Sequence, residues 1–178
     1  MQREHVSPRG RRHGGHRGHA PGGTVTPGKL TIGSHRFELL SLSGHTPADL
    51  AVFDHTTGIL FAGDLLFHDR TPTTPNANLA HWFSSLDTLA ALHPKLIVPG
   101  HGPASTTDAP IRQTRTWLSW LDKTLHKAAA QGLDMNEVIA EPIPKDLAAM
   151  SLSKSEFTRS VSHLYPDIEL DVLNHPPH

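Results

Sequence analysis

Cysteine is absent from the 178 residues, which excludes disulfides, thiolate metal sites and cysteine nucleophiles together. Any metal held by this chain must therefore be bound through histidine nitrogen and carboxylate oxygen. Long apolar runs are lacking too. None approaches the roughly 18 to 20 residues that a membrane-spanning helix needs, and no basic start followed by an apolar stretch marks a secretory leader. The start as written points to the cytoplasm, whereas a missing upstream segment would leave the periplasm open. Nor is there an excess of charge of one sign. The formal net charge is -1, with 19% charged and 37% hydrophobic residues, proportions that suit a soluble globular domain.

That balance conceals an asymmetry. Residues 1–28 carry five arginines against the single acid Glu4, and their Arg, Gly, His and Pro composition has almost no apolar periodicity. Such a segment cannot bury enough surface to offset its ordering entropy, so residues 1–28 are expected to form a disordered basic arm and residues 29–178 the folded part. Five arginines in a tail give non-specific phosphate attraction at most. No basic stripe continues into the remainder, so neither a specific nucleic acid nor a membrane is expected as partner.

Order is expected from Lys29, where Leu30 and Ile32, then Phe37, Leu39 and Leu40, make short strand-like runs separated by Gly33 and Ser34. Leu50 to Phe53 reads as a strand, Thr57-Gly58 as a turn and Ile59 to Ala62 as the partner strand, ending at Gly63-Asp64. Leu79, Trp82, Phe83, Leu86, Leu89 and Ala90 recur at three- and four-residue spacing, which predicts an amphipathic helix from about Asn76 to Leu92. A buried strand, Leu96 to Val98, follows. A long helix from about Asp108 to Ala130 places Ile111, Trp117, Leu118, Leu121 and Leu125 inward and is stopped by Gly132. Shorter helices are expected at 134–140 and 155–165, the latter with Phe157, Val161 and Leu164 inward. The fold class is α/β, layered.

Three residues stand out against this frame. His45, Asp64 and His101 each lie beside glycine at the end of a predicted apolar strand, where side chains from separate strands converge on one rim of a sheet. Two imidazoles and a carboxylate suit zinc. Taken singly, each has an ordinary explanation: His45 and His101 as loop histidines, Asp64 as a turn or helix-capping residue. The three loops together say more. Ser43-Gly44-His45-Thr46-Pro47-Ala48-Asp49, Phe61-Ala62-Gly63-Asp64-Leu65 and Val98-Pro99-Gly100-His101-Gly102-Pro103 occur in one order and at one spacing, and in this the chain resembles the metallo-β-lactamase superfamily over about residues 29–130.

The resemblance implies the C-terminal half of that family's αββα sandwich. It also implies a zinc-dependent hydrolase in which a metal-activated hydroxide attacks an ester, thioester or amide carbonyl of a small-molecule substrate. By residue matching, His45 completes the first zinc site, Asp64 bridges both metals as the catalytic carboxylate, and His101 belongs to the second site. Aspartate at the bridging position is similar to the hydroxyacylglutathione hydrolases, whereas zinc β-lactamases typically carry cysteine there. Leu65-Leu66-Phe67-His68-Asp69-Arg70-Thr71-Pro72, the Trp82 helix and the stretch from Phe157 to Glu169 resemble, more finely, the zinc metallohydrolases of quinoprotein relay systems.

One part of the pattern is missing. Family members carry a His-x-His-x-Asp-His loop in an N-terminal half, and this chain does not contain it. The upstream histidines His13, His16 and His19 are spaced by three in an Arg/Gly context and read as a flexible tail, because a disordered loop cannot hold ligand geometry. Three ligands remain where the family's two sites share about six, so one or two ions in the complete site become weak or mononuclear binding here. A misassigned start or an upstream frameshift would account for both the missing loop and the unusual arm, and would make the chain N-terminally truncated. Losing half of a sandwich also exposes an apolar sheet face that a second copy must cover, or which invites aggregation.

Among the other residues, His68 and Arg70 are candidates for facing a substrate, with an Asp69–Arg70 pair as the plain alternative. Asp49 either orients a ligand histidine or serves a turn. His81 is expected in solvent, His126 and His163 have no assigned role, and the Trp117 and Trp120 helix is expected to pack.

Overall fold

A computed structural model describes residues 26–175; most of the basic arm, with His13, His16 and His19, lies outside the described residues. Five strands form one sheet in the order β1 (Gly28–Ile32), β2 (His35–Leu42), β3 (Asp49–Asp54), β4 (Ile59–Phe67), β5 (Leu96–His101). The first four run antiparallel, as short turns dictate. Strand β5 lies parallel to β4, because the connection between them is long enough to hold helix α1 (Leu79–Ala91).

Register determines what each face carries. Phe53 opposes Leu60, and Leu60 opposes Ile97. These residues, with Ala51 and Ala62, are buried against α1 and against α2 (Ala109–Ala130), which contacts β4. The alternate residues form the opposite face: Leu39 opposes Val52, Val52 opposes Phe61, and Phe61 opposes Val98. That face is open at its centre, where Phe61 is 44% and Leu50 54% exposed, although Leu39 towards β1 is buried. The layered α/β architecture is thus a single sheet with helices on one side.

Helix α2 is the spine. Ile111, Trp117, Leu118, Leu121 and Leu125 are all buried on it, as their spacing predicts, and α2 also packs against α5 (Ser153–Asn174). Between them lie α3 (Met135–Ala140) and α4 (Lys145–Ala148). A capping box starts α3, with Asp134 accepting from its first turn and Glu137 reaching back.

The structure departs from sequence expectation in three ways. Strand β4 does not end at Gly63-Asp64 but bulges there, with Gly63 at φ 54°, and continues to Phe67. It continues because Leu65, Leu66 and Phe67 are buried. Similarly, β5 runs on through Pro99 to His101. Helix α5 extends to Asn174 with Pro166 inside it. A proline within a helix costs roughly 3 kcal/mol, and here Ile168 and Val172 still pack against the core beyond it, which offsets that cost.

Candidate metal centre

His45, Asp64 and His101 come together at one edge of the sheet. His45 lies in the β2–β3 loop, Asp64 just past the β4 bulge, and His101 at the end of β5. The sequence placed all three in loops, and the latter two prove to be strand residues. His45 Nε2 is 3.7 Å from Asp64 Oδ2, and His101 Nε2 is 3.5 Å from Asp64 Oδ1. The two oxygens of one carboxylate are thus divided between two histidines.

Glycine permits this approach. A Cβ at Gly100 would lie 2.1 Å from Asp64 Oδ1 and 2.6 Å from the Gly63 carbonyl carbon, and a Cβ at Gly44 would lie 2.7 Å from Trp82 Cα. Only a residue without a side chain lets β5 pass Asp64 and lets the His45 loop seat on α1.

Aromatic rings floor the centre. Trp82 is fully buried and its Nε1 donates to the Leu65 carbonyl at 2.9 Å. The rings of His45 and Trp82 meet edge to face at 5.6 Å between centroids, and the ring of His101 stacks on Phe67 at 5.2 Å. His45 is mostly covered, whereas Asp64 and His101 are each 42% exposed at the side chain. The centre therefore has a dry wall and an open mouth.

The outer nitrogens of the two histidines differ in what they meet. His45 Nδ1 donates to the Thr73 carbonyl at 2.9 Å, which leaves Nε2 with a free lone pair facing Asp64. This is the usual orientation of a metal-bound imidazole. Arg70 Nη1 lies 2.9 Å from His101 Nδ1. A guanidinium has only donors, so Nδ1 accepts and the neutral ring carries its proton on Nε2.

Tetrahedral zinc with bonds of about 2.0–2.2 Å holds neighbouring donors roughly 3.4 Å apart. The spacings of 3.5 and 3.7 Å and the nitrogen and oxygen donor set fit such an ion, and so does the orientation of His45. His101 fits in position but not in proton placement. Among the described residues no three His, Asp or Glu side chains are arranged to hold one ion as they stand, in keeping with two histidines that face different oxygens.

The remaining predicted residues fall as follows. Asp49 bonds neither His45 nor His101: it accepts from the Thr46 backbone N–H at 3.0 Å and hydroxyl at 2.7 Å and so ties the His45 loop. Orientation comes instead from the Thr73 carbonyl, a backbone atom that no sequence motif announces. His68 turns its Nδ1 to the Pro103 carbonyl at 2.7 Å and is mostly covered, which leaves it little surface for a substrate. Asp69 pairs with Gln113 rather than with Arg70. Sequence reasoning missed the contact of Arg70 with His101 and the proximity of Arg70 to Glu156. His81 is exposed, as expected, and so are His126 and His163, to which the sequence assigned no role; no described helix is long and apolar enough to cross a membrane.

A family model described as the metallo-beta-lactamase superfamily matches residues 3–101. The chain is 33% identical over 81 residues to the hydroxyacylglutathione hydrolase GloC of Haemophilus influenzae, a match covering 43% of this chain and 38% of that protein. It is also similar to the crystal structure of a metallo-beta-lactamase family protein from Thermus thermophilus, with a TM-score of 0.55 and 23% identity over 83% of this chain and 49% of the other. A metallo-beta-lactamase from Pontibacter korlensis matches with a TM-score of 0.48 and 25% identity, over 54% of this chain and 47% of the other. The chain thus spans about two fifths of the curated relative and about half of these solved structures.

Proposed function

Because this chain belongs to the metallo-beta-lactamase superfamily, we propose that it is part of a zinc-dependent hydrolase that opens an ester, thioester or amide of a small molecule, with His45, Asp64 and His101 as metal ligands. The convergence of two imidazoles on the two oxygens of Asp64, at 3.7 and 3.5 Å, carries this reading. Zinc, when bound, supplies Lewis acidity towards a carbonyl and a more acidic water at neutral pH.

The chain's own residues do the rest. Asp64 is the catalytic carboxylate: it sets the spacing of the two rings and is exposed enough to meet a substrate. The Thr73 carbonyl holds the His45 tautomer, and Trp82 and Phe67 keep water from the inner side. Aspartate at position 64, together with the named activity of the Haemophilus relative, favours a hydroxyacyl thioester as the first substrate to try. The Leu65-to-Pro72 segment supports a setting among quinoprotein relay systems, which names a context and not a reaction. Three donors do not complete a two-metal site, so on this reading further ligands come from outside residues 26–175, as expected of an N-terminally truncated form. The open apolar sheet face supports a homo-oligomer in which a second copy covers it.

The test is zinc content together with thiol release from a hydroxyacylglutathione thioester, with Asp64→Asn reducing release to background. A second reading, a catalytically inactive fragment or partner-binding module with incomplete metal sites, is favoured by the failure of the three side chains to close on one point. A chain that neither contains nor takes up zinc and leaves ester and thioester intact would overturn the hydrolase reading for this chain.

A further inference from the structure

Arg70 is held between two partners and satisfies neither fully. One arm donates from Nη1 to His101 Nδ1 at 2.9 Å. The other brings Nη2 to 3.9 Å from Glu156 Oε1, beyond hydrogen-bond reach. Glu156 sits in the first turn of α5 with its side chain 8% exposed. Among the described residues, two buried atoms at this pair lack any hydrogen-bond partner: Arg70 Nε and Glu156 Oε2. A buried polar atom left unpaired is costly, and here both lie on the two members of one stretched ion pair.

The backbone keeps them near each other. Arg70 forms an isolated parallel bridge with Ser151, Thr71 donates to the Ser151 carbonyl at 3.1 Å, and Ser151 N–H donates to the Asp69 carbonyl at 3.2 Å. The segment that starts α5 is therefore tied to the loop that carries Arg70. A turn of the guanidinium towards Glu156 would bring Nε and Nη2 onto the two carboxylate oxygens in the bidentate geometry that arginine and carboxylate favour. Both unpaired atoms would be satisfied, and His101 Nδ1 would be released.

We propose that Arg70 is a positioning residue that competes with the metal for His101: in the arrangement seen here it holds the ring with its proton on Nε2, facing Asp64, and His101 becomes a ligand only when Arg70 turns to Glu156. Helix α5 is thereby coupled to the metal centre through one side chain. The inference rests on the zinc reading above for its second half, whereas the arginine–histidine bond stands without it.

The experiment reads His101 itself, because a chain with 15 histidines takes up zinc elsewhere. In the full chain treated with chelator, long-range proton–nitrogen correlation spectra should show His101 with its proton on Nε2, and Arg70→Gln should shift it towards Nδ1. Zinc titration followed at the His101 nitrogens should show at least about tenfold tighter uptake in Arg70→Gln, the scale of losing one charge-assisted hydrogen bond. Glu156→Gln should weaken uptake by a comparable factor, since it removes the berth to which Arg70 turns. If Arg70→Gln unfolds because Glu156 is stranded, the double variant Arg70→Met/Glu156→Met replaces both charges with apolar groups and should still bind more tightly than wild type. Equal or weaker uptake at His101 in these Arg70 variants, with zinc bound by wild type, overturns this inference alone. A proton on Nδ1 of His101 in the wild-type chain overturns it too. Absence of zinc at His101 in every variant overturns the metal reading and, with it, the competition.

Discussion

The two faces of the sheet are made of similar residues and end differently. On the helix side Phe53, Leu60, Ala62 and Ile97 are sealed under α1 and α2. On the other side Leu50, Val52 and Phe61 are equally apolar, yet Leu50 and Phe61 remain about half exposed. Apolar alternation on both faces is the mark of a sheet meant to be covered twice. The difference teaches that this sheet has most of its packing on one side, and that the centre at its edge has a buried inner wall and a largely open outer one.

The sharpest way to break the contrast is to damage the covered side. Trp82→Ala removes a fully buried ring, its hydrogen bond to Leu65 and the edge on which His45 rests, and should cost about 3–5 kcal/mol of stability. Urea unfolding would measure the loss, and a change below about 1 kcal/mol would show that the helix side carries less than its burial suggests. Gly44→Ala acts on the same wall from the opposite direction. Its new methyl would meet the backbone of Trp82 and should cost about 1–3 kcal/mol, with displacement of the His45 ring visible in its nitrogen shifts.

The open side should respond more weakly. Phe61→Ser is expected to change stability of the dilute monomer by no more than about 0.5 kcal/mol, as exposed substitutions do, while sedimentation at high concentration shows self-association falling. A loss above about 2 kcal/mol under dilute conditions would mean that something already covers this face.

The smallest effect is acid sensitivity at the end of the open face. Burial raises the pKa of Asp54, but hydrogen bonds from Thr57, His35 and the Thr56 N–H, and the charge of His35, outweigh it and hold the carboxyl well below its usual range. A depressed folded pKa contributes stability that is present above the unfolded carboxylate value and is lost as pH falls through it towards the folded one. Acid unfolding should therefore begin below about pH 4, and His35→Ala should move it to higher pH. An unchanged acid midpoint in that variant would remove His35 from the account.

Much of this was legible in the chain itself. The i, i+3, i+4 spacing on α2 identified its buried face residue by residue, because a helix repeats its environment every 3.6 residues whatever it packs against. The convergence of His45, Asp64 and His101 was legible because each lies beside a glycine at a strand end and the three loops together resemble one family's pattern, a signal that is local to each loop. The continuation of β4 past Asp64 was not legible. Gly63-Asp64 reads as a terminator, and only the burial of Leu65 to Phe67 under distant helices overrides it. The run of α5 through Pro166 was hidden for the same reason, since local propensity opposes it and long-range packing permits it.

The sequence by itself determined the α/β layering and the inward faces of the helices, which follow from local spacing, and its resemblance to a family singled out His45, Asp64 and His101 as candidates that the fold brings to one edge. Only the tertiary structure decided how those residues are held. Thr73 offers a carbonyl to His45 from 28 residues away, and Arg70 reaches His101 across 31. The tautomer of an imidazole depends on which donor or acceptor space brings to its far nitrogen, and linear spacing does not encode that.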